Sequence, residues 1–562
     1  MSSALDPASA PVAPGTGTRR RIALSAGFVV LVCAALLVHL GVRPLEFEEP
    51  RRALVALEMA LRGNLVVPTT NGALYLNKPP VFNWVLLACM RLFGSGAEWV
   101  LRLPTVASML AMALVFWRVA RRHLGRETAL AAAAFLLTFP TLLFYGTLYA
   151  EIDVFYALLV VLQALAIFVL EQGDRPVAMF VVSYLATAVG FLTKGMPSLA
   201  FQILTLGAWL VHVRRWRWLV SWAHLAGLGA LALCVGGYFA AYARSADPAP
   251  FLFSMLFDAT VRTAAGTLHG AGRTALQLVA FPLQLLSLSA PWSVFAPGLL
   301  GGAARARIRS SPFLRFCIVF VAANVAPYWL SPGNRPRYMF MFLPFLAALL
   351  AVAVEHLAEQ GWYLRAVRWL LGLALAAAAA GAACLPFTRW GARVAPLWGW
   401  VAVVGLLAAL AIGYWRARSF RPALALALLA LATARVGYDL IVPAIRRDAS
   451  VGAFYEQVAS VLNREYRGQP ILLLGKGRER ERTIPITGQR FTLPEPEWFS
   501  LALSFHYTLG RNELLRYADA LEPGKLYLAH TGFPVSLPCD VLHVFDYPVG
   551  DEDDLKLIRV RE

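Results

Sequence analysis

Long apolar runs separated by short polar loops make up most of this chain. Several runs reach about 20 residues, the length that an α-helix needs to cross a bilayer. This pattern predicts an all-α polytopic membrane protein with about 13 transmembrane helices. The predicted spans are 22–41, 99–119, 127–144, 153–171, 177–193, 196–213, 219–243, 275–300, 312–330, 338–357, 367–386, 397–415 and 421–439.

One apolar segment, residues 81–94, is too short to be counted with these spans. It reads "VFNWVLLACMRLFG" and contains Arg91. We interpret it as an amphipathic helix that lies on the membrane surface. With the N-terminus inside, almost all Arg-bearing loops face the cytoplasm, as the positive-inside rule expects. A span at 81–94 would reverse every later loop.

Both ends of the chain differ from the middle. Residues 1–21 are rich in Pro, Ser, Ala and Gly at their start, which predicts a disordered cytoplasmic tail before the transmembrane domain of residues 22–439. An odd number of spans places residues 440–562 outside the cytoplasm. There the segment 451–466 has helical periodicity, and four short runs predict strands: "PILLLG", "KLYLAH", "VLHVFDYPV" and "LKLIRV". We therefore expect a small extracytoplasmic α/β domain.

The composition argues against two classes of function, namely nucleic-acid binding and cysteine-based metal or redox sites. The net charge of +18 arises mostly from Arg in the short loops, so membrane orientation explains it and nucleic-acid binding is not indicated. The six Cys form no CxxC pair, so neither a zinc knuckle nor a redox pair is indicated.

Unusual polar residues gather in the loops that this topology places outside. The first outer loop, residues 42–98, contains Glu48 and Glu49 at the start of a helical pattern. Carboxylates at a membrane surface can bind a metal, accept a proton or orient basic side chains. The plainer alternative is a favourable negative charge at a helix N-terminus. Further residues on this side are Arg51, Arg52, Asn77, Glu151, Asp153, Asp258, Arg262, His269, Arg273, Asn334, Arg335, Arg337 and Tyr338.

Lysine is rare in this chain, and its positions are informative. Only five of the 51 basic residues are Lys. Two of them, Lys78 in "LNKPP" and Lys194 in "TKGMP", stand beside helix breakers in outer turns. A flexible ammonium group there suits a lipid phosphate. The alternative for both is snorkelling to the interface, and Arg337 with Tyr338 equally fits an interfacial anchor.

Acidic and basic side chains gathered on one face of the membrane could together bind a polyprenyl-phosphate sugar. Its tail stays in the bilayer, basic side chains hold the phosphate, and a carboxylate faces the anomeric carbon. Reaction at that carbon passes through an oxocarbenium-like state, which a nearby carboxylate stabilises.

The segment "EEPRRALVALEMALRGNLVVPTTNGALYLNKPPVFNWVLLACMRLFG" resembles the first outer loop of the superfamily of aminoarabinose transferases and protein O-mannosyltransferases. The matching positions are Glu48, Glu49, Arg51, Gly63, Pro68, Lys78, Pro79 and Pro80. The resemblance continues in "GTLYAEID", "FLTKGMP", "APWS" and "RPRYMFMFLP", and "FSLALSFHYTLGR" is similar to a C-terminal segment of the aminoarabinose transferases.

The resemblance implies the GT-C fold and transfer of a sugar from undecaprenyl phosphate on the periplasmic side of a bacterial inner membrane. It implies Glu48 and Asp153 as catalytic residues. The implied donor-phosphate ligands are Arg51, Lys78, Lys194, Arg337 and Tyr338, and further candidates are Glu49, Asp258 and His269. The family has Asp where this chain has Glu48 and often Glu where it has Asn77, so a metal contact of that Glu cannot be carried over.

Several alternatives stay open at this point. A lipid A phosphate is the expected acceptor, and the sugar is aminoarabinose-like or a hexosamine. Transfer to Ser or Thr, as in the protein mannosyltransferases, is the alternative acceptor chemistry. A lipid or solute transporter is the alternative of another class, although it predicts charged groups at mid-membrane. No cofactor is required by the pattern, and a divalent metal remains open.

Overall fold

A computed structural model gives the positions of most of the chain. The described residues are 16–263, 271–331, 335–357, 361–388, 397–474, 478–483, 490–495, 500–518, 520–547 and 554–562. Most of the predicted tail, residues 1–21, lies outside the described residues.

Helices account for most of the described chain up to residue 449, as the apolar pattern predicts. Proline stands in the first turn of several of them, where its missing N–H is not needed. The helices are α1 Thr16–Leu37, α2 Glu49–Leu61, α3 Val81–Phe93, α4 Glu98–Leu124, α5 Arg126–Thr138, α6 Ile152–Gln172, α7 Pro176–Lys194, α8 Pro197–His212, α9 Trp222–Tyr242, α10 Ala249–Thr263, α11 Ala271–Leu288, α12 Gly302–Ser310, α13 Pro312–Trp329, α14 Leu343–His356, α15 Gly361–Cys384, α16 Leu397–Arg416 and α17 Phe420–Ala449.

Each of the thirteen predicted spans coincides with helical structure. Within the described ranges, nine helical stretches are long and apolar enough to cross a membrane, and a bent pair makes ten. The other three predicted spans fall on shorter elements, namely the apolar part of α1, α5 and α8. The prediction of a mostly helical polytopic membrane protein is confirmed, and within the described residues nine to ten of the thirteen predicted spans are long and apolar enough to cross a membrane.

The predicted span 275–300 is not one straight helix. It consists of two helical pieces, Ala275–Leu288 and Trp292–Leu300, that are bent by 111°. Pro291 lies at the break and has no N–H to continue the hydrogen-bond ladder. Apolar composition predicts that a segment is buried in lipid or protein, but it does not report a local bend.

The long loop of residues 42–98 is compact. After α2, a short hairpin pairs β1, Thr69–Thr70, with β2, Ala73–Leu74. Its turn residues Asn71 and Gly72 have φ of 49° and 80°, which a two-residue hairpin turn favours and which Asn-Gly supplies. The predicted helix at 81–94 is α3, and Gly94 ends it with φ of 60°.

The C-terminal part forms a small α/β unit, as predicted. Two helices, α18 Val451–Glu465 and α19 Leu501–Arg511, accompany a five-stranded sheet of order β6-β3-β7-β9-β8. Strand β3 runs parallel to both neighbours, whereas β9 is antiparallel to both of its own. The strands are β3 Ile471–Leu473, β4 Arg478–Thr483, β5 Arg490–Glu495, β6 Arg516–Tyr517, β7 Leu526–His530, β8 Cys539–Phe545 and β9 Leu555–Val560, with β4 and β5 forming a separate pair.

This α/β unit packs directly on the loop of residues 42–98. Phe505 of α19 is fully buried in the apolar cluster formed mainly by α2 and α3. At the start of α18, a Cβ on Gly452 would lie 2.7 Å from the carbonyl oxygen of Leu45 and 2.9 Å from a carbon of Pro44. The two units therefore meet at a contact that has no room for a side chain at residue 452.

We expect Gly452→Ala to destabilise the protein by roughly 1–3 kcal/mol, because the added methyl group overlaps backbone atoms that cannot move freely. Gly532→Ala is the matched control, since a Cβ there meets no atom within 4 Å. Thermal unfolding of both purified variants in detergent measures the difference. Equal midpoints for the two variants would show that the contact at Gly452 is not tight.

Candidate functional site

Two adjacent acids at the start of α2 face opposite environments. Pro50 occupies the first turn of the helix, and Glu48 precedes it as the N-cap residue. The Glu48 side chain lines a cavity, whereas Glu49 is fully buried in the protein. Successive residues of an α-helix are rotated by about 100° about its axis, so the side chains of adjacent residues can face different surroundings.

The cavity lies where five chain segments meet at one end of the helix bundle. These are the start of α2, the link from the hairpin to α3, the start of α6, the end of α7 and the turn at 335–338. Its volume is about 140 Å³. The lining residues are Glu48, Arg52, Asn77, Lys78, Glu151, Ile152, Asp153, Lys194, Arg335, Arg337 and Tyr338.

Most residues that the sequence singled out converge on this cavity. Both proposed catalytic acids line it, and so do four of the five proposed phosphate ligands. The fifth, Arg51, donates to Glu48 over 2.6 Å from just beside the lining. Positions far apart in sequence are thus brought into one polar site.

Asp153 and Lys194 form the central ion pair of the site. Lys194 Nζ lies 2.5 Å from Asp153 Oδ1, and both side chains are at least 90% buried. The ammonium group also lies 4.9 Å from the ring centre of Tyr156 and 4.5 Å from that of Tyr338. These aromatic faces and the carboxylate fix the position of the cation.

Glu151 is a site residue to which sequence reasoning assigned no role. Arg337 Nη1 donates to both of its carboxylate oxygens, at 2.6 and 2.8 Å, and Arg337 Nε lies 3.5 Å from Asp153. Burial and the nearby Asp153 charge raise the pKa of Glu151 to about 7, against the opposing effect of Arg337. The signal in the sequence was the acid two positions before Asp153, in "AEID".

The pKa of Glu48 is shifted in the opposite direction to that of Glu151. Burial favours its neutral form, but the guanidinium groups of Arg51, Arg52 and Arg337 outweigh burial and lower the pKa of Glu48. At neutral pH the site therefore holds an ionised Glu48 beside a Glu151 that is close to its midpoint.

A buried carboxylate outside the cavity, that of Glu58, holds the hairpin that precedes Lys78. It accepts hydrogen bonds from the Thr69 hydroxyl at 2.7 Å and from the backbone N–H groups of Asn71 and Gly72. Burial raises the pKa of Glu58 despite these donors. The acid ties the hairpin to α2, and the chain leaving the hairpin carries Asn77 and Lys78 into the cavity.

The candidate Glu49 does not line the cavity. Its carboxylate accepts two hydrogen bonds from Arg102, at 2.8 and 3.0 Å, and both side chains are fully buried. It also accepts the backbone N–H of Ala150 at 2.6 Å. Glu49 therefore links α2 to α4 and to the chain just before Glu151, and it cannot reach a ligand in the cavity.

Two further candidates cannot be placed. The side chain of Asp258 and the whole of His269 lie outside the described residues. Among the residues that are described, no group of three or more His, Cys, Asp or Glu side chains has a geometry that could hold a metal ion.

The lining carries more positive than negative charge. Five basic side chains face three carboxylates, an excess of two positive charges when all are ionised and of three when Glu151 is neutral. Such a site can accept a phosphate without leaving a buried charge unpaired.

The chain is similar in sequence and in fold to several known proteins. The family model described as dolichyl-phosphate-mannose-protein mannosyltransferase matches residues 77–238. The chain is 28% identical over 386 residues, 66% of each protein, to an undecaprenyl phosphate-alpha-4-amino-4-deoxy-L-arabinose arabinosyl transferase of Edwardsiella ictaluri. It is 30% identical to the Pseudomonas aeruginosa (strain UCBPP-PA14) protein of the same name over 317 residues, 56% of each protein. In these alignments the chain spans less than two thirds of the relatives' own length.

The fold has a solved counterpart that covers nearly the whole chain. The crystal structure of ArnT from Cupriavidus metallidurans bound to undecaprenyl phosphate superposes with a TM-score of 0.66 at 18% identity, covering 95% of this chain and 98% of ArnT. Because the superposition covers nearly all of the chain, the likeness in fold includes the helical region and the small C-terminal sheet. In sequence the chain is similar to the aminoarabinose transferases and to the protein mannosyltransferase family model, and it has the fold of ArnT.

Proposed function

We propose that this protein transfers an aminoarabinose-like sugar or a hexosamine from undecaprenyl phosphate to a lipid A phosphate. The observation that carries the proposal is the convergence of three carboxylates and five cations in one cavity at an end of the helix bundle. In this proposal the protein lies in the bacterial inner membrane, and the cavity and residues 440–562 face the periplasm.

The charge of the cavity suits the donor. A polyprenyl-phosphate sugar is a phosphodiester with one negative charge, and it becomes a phosphate monoester when the sugar leaves. The cations therefore gain more from the leaving phosphate than from the bound donor, which favours the transition state over the ground state. The names of the curated relatives, which include undecaprenyl phosphate, support this donor for the present chain.

In this proposal the donor phosphate competes with the carboxylates for the cations of the site. Asp153 is paired with Lys194, and Glu151 is paired with Arg337. A phosphate that enters competes for these cations, and each cation that turns to it leaves a carboxylate less neutralised. When the phosphate draws Lys194 towards itself, the carboxylate of Asp153 is less neutralised and can act on the sugar.

The chemistry then follows at the anomeric carbon. An oxygen of the acceptor phosphate forms a bond to that carbon while the bond to the donor phosphate oxygen breaks, and the bonding electrons leave with undecaprenyl phosphate. Asp153 and Glu48 stabilise the positive charge that develops on the sugar. A phosphate acceptor is already anionic at neutral pH, so this transfer needs no general base.

A hydroxyl acceptor is the second candidate, and two observations favour it. The matching family model describes protein mannosyltransferases, and Glu151 has a pKa of about 7, which suits a general base. A Ser or Thr acceptor would give its proton to such a carboxylate as the new bond forms. Mass spectrometry of lipid A and of periplasmic proteins, from cells with and without this protein, distinguishes the two acceptors.

The two central acids give the sharpest test of catalysis. We expect Asp153→Asn and Glu48→Gln each to lower the rate of sugar transfer by about 100-fold or more, because each removes a negative charge that stabilises the transition state. Glu171→Gln is the control, since Glu171 is as buried as Asp153 and is paired with Arg215 at the other end of α6. Transfer at the wild-type rate in both site variants would refute these roles.

Lys78 tests phosphate binding separately from catalysis. Lys78→Gln should raise the Kd for undecaprenyl phosphate roughly tenfold or more, because a hydrogen bond to a charged group contributes about 1.5–3 kcal/mol. Lys78→Arg should retain most of the affinity, and the exposed, ion-paired Lys525→Gln is the control. Lipid titration of the purified variants measures the effect, and equal affinity in Lys78→Gln would remove Lys78 from the phosphate site.

The pH dependence of binding tests Glu151. Because its pKa is raised to about 7, Glu151 gains a negative charge between pH 6 and pH 8 and then repels the phosphate. Wild-type affinity for undecaprenyl phosphate should therefore fall across this range relative to Glu151→Gln, and the two proteins should agree near pH 6. The ionisation of the lipid itself cancels in this comparison. Parallel curves from pH 6 to pH 8 would contradict the raised pKa.

A further inference from the structure

A second set of buried charges lies on α17, away from the cavity lining. Arg435 and Asp439 are 1% and 3% exposed and pair through Arg435 Nε and Asp439 Oδ2 at 2.7 Å. Both belong to the stretch Phe420–Ile441, which is long and apolar enough to span a membrane. Charges in such a helix are costly and persist where they have a defined task.

The contacts of this pair lead to the chain that precedes the catalytic acids. Arg435 Nη1 donates to the Thr147 hydroxyl at 3.4 Å. Arg43, 3% exposed, donates to the next carbonyl along the chain, that of Leu148, and its guanidinium carbon lies 4.5 Å from the ring centre of Tyr149. These contacts, with the Glu49 hydrogen bond to Ala150, act on every residue of the 147–150 segment.

Asp439 balances the charges of both arginines. Its carboxylate pairs with Arg435 and lies within electrostatic range of Arg43 and His39. Its carbonyl oxygen also contacts His39 Nδ1 at 2.8 Å. Asp439 thus holds Arg435 through a direct ion pair, and its negative charge also favours the nearby Arg43, which contacts the next residue of the 147–150 segment.

We propose that Asp439, acting through Arg435 and alongside Arg43, is a positioning residue that fixes the 147–150 segment and thereby the directions of Glu151 and Asp153. The inference rests on the proposed function for its catalytic consequence. The 147–150 segment has no repeating helical or strand hydrogen bonds to define its path, since it lies between a helical turn ending at Gly146 and the start of α6 at Ile152. The backbone N–H groups of Thr147 and Leu148 still bond to the preceding turn, at 3.0 and 3.1 Å, and the side-chain contacts add the links to α17, α2 and Arg43.

The position of these acids matters because the reaction depends on small distances. A displacement of about 1 Å at a reacting group can lower a rate by about 100-fold. Asp153 is held from one side by Lys194. The contacts of the 147–150 segment fix the backbone that leads to Asp153. The carboxylate of Asp153 therefore keeps its position when a phosphate draws Lys194 away.

The test uses a mild variant at the end of this chain of contacts. Thr147→Val preserves the shape of the side chain and removes the hydroxyl, which accepts from Arg435 and bonds to the carbonyls of its own turn at Leu142 and Leu143, whereas Thr147→Ser retains the hydroxyl. Thr138→Val is the matched control. Its hydroxyl is also buried, bonds to its own helix through the Ala134 carbonyl, and accepts from another side chain, Trp292 Nε1 at 2.9 Å. Asp439→Asn tests the pair itself.

Two measurements are made on each purified protein in detergent with an undecaprenyl-phosphate sugar donor. Hydrogen exchange should accelerate in peptides covering residues 147–153 for Thr147→Val and Asp439→Asn, and it should not change there for Thr147→Ser or Thr138→Val. The same two variants should lose about tenfold or more in kcat, while KM for the donor stays within about threefold.

Either measurement can overturn the inference. Unchanged exchange over residues 147–153 in Thr147→Val and Asp439→Asn would show that the charges do not hold the segment. Faster exchange with a normal kcat would show that the segment does not position the acids. A wild-type protein that transfers no sugar would refute the proposed function instead, and the exchange data would then decide the structural part alone.

Discussion

The ion pair between Asp153 and Lys194 is the interaction on which the rest of the site depends. It joins the start of α6 to the end of α7 over 2.5 Å and places a carboxylate and an ammonium group in a buried setting that neither could occupy alone. The rings of Tyr156 and Tyr338 pack against the same ammonium group, and Arg337 extends the pairing to Glu151. The site is a continuous network of compensated charges.

This network explains why the loop of residues 42–98 has so many polar contacts of its own. Glu58 holds the hairpin that leads to Lys78, and Glu49 joins α2 to α4 and to the backbone before Glu151. Acids that do not touch the cavity fix the segments that do. The two acids at the start of α2 illustrate the division, since Glu48 faces the cavity and Glu49 faces the supporting contacts.

Sequence patterns predicted much of this arrangement because the membrane imposes strong rules. Apolar runs gave the helices, four short runs gave β3, β7, β8 and β9 of the C-terminal sheet, and the rarity of Lys pointed to Lys78 and Lys194. The two-residue strand β6 and the separate pair of β4 and β5 were not predicted. Glu151 was not selected, because two acids near a helix start look alike in sequence. The bend in residues 275–300 was missed, because an apolar composition indicates that a segment is buried and does not indicate whether its helix is straight or bent.

The sequence by itself determined which segments enter the membrane and which residue types stand at its surface, because the cost of exposing polar groups to lipid is large and local. Only the tertiary structure decided which cation pairs with which acid and which acid faces the cavity. Ion pairing depends on distances between residues far apart in the chain, such as Glu151 and Arg337, and no local pattern encodes those distances. The folded bundle makes Glu48 a cavity residue and Glu49 a support.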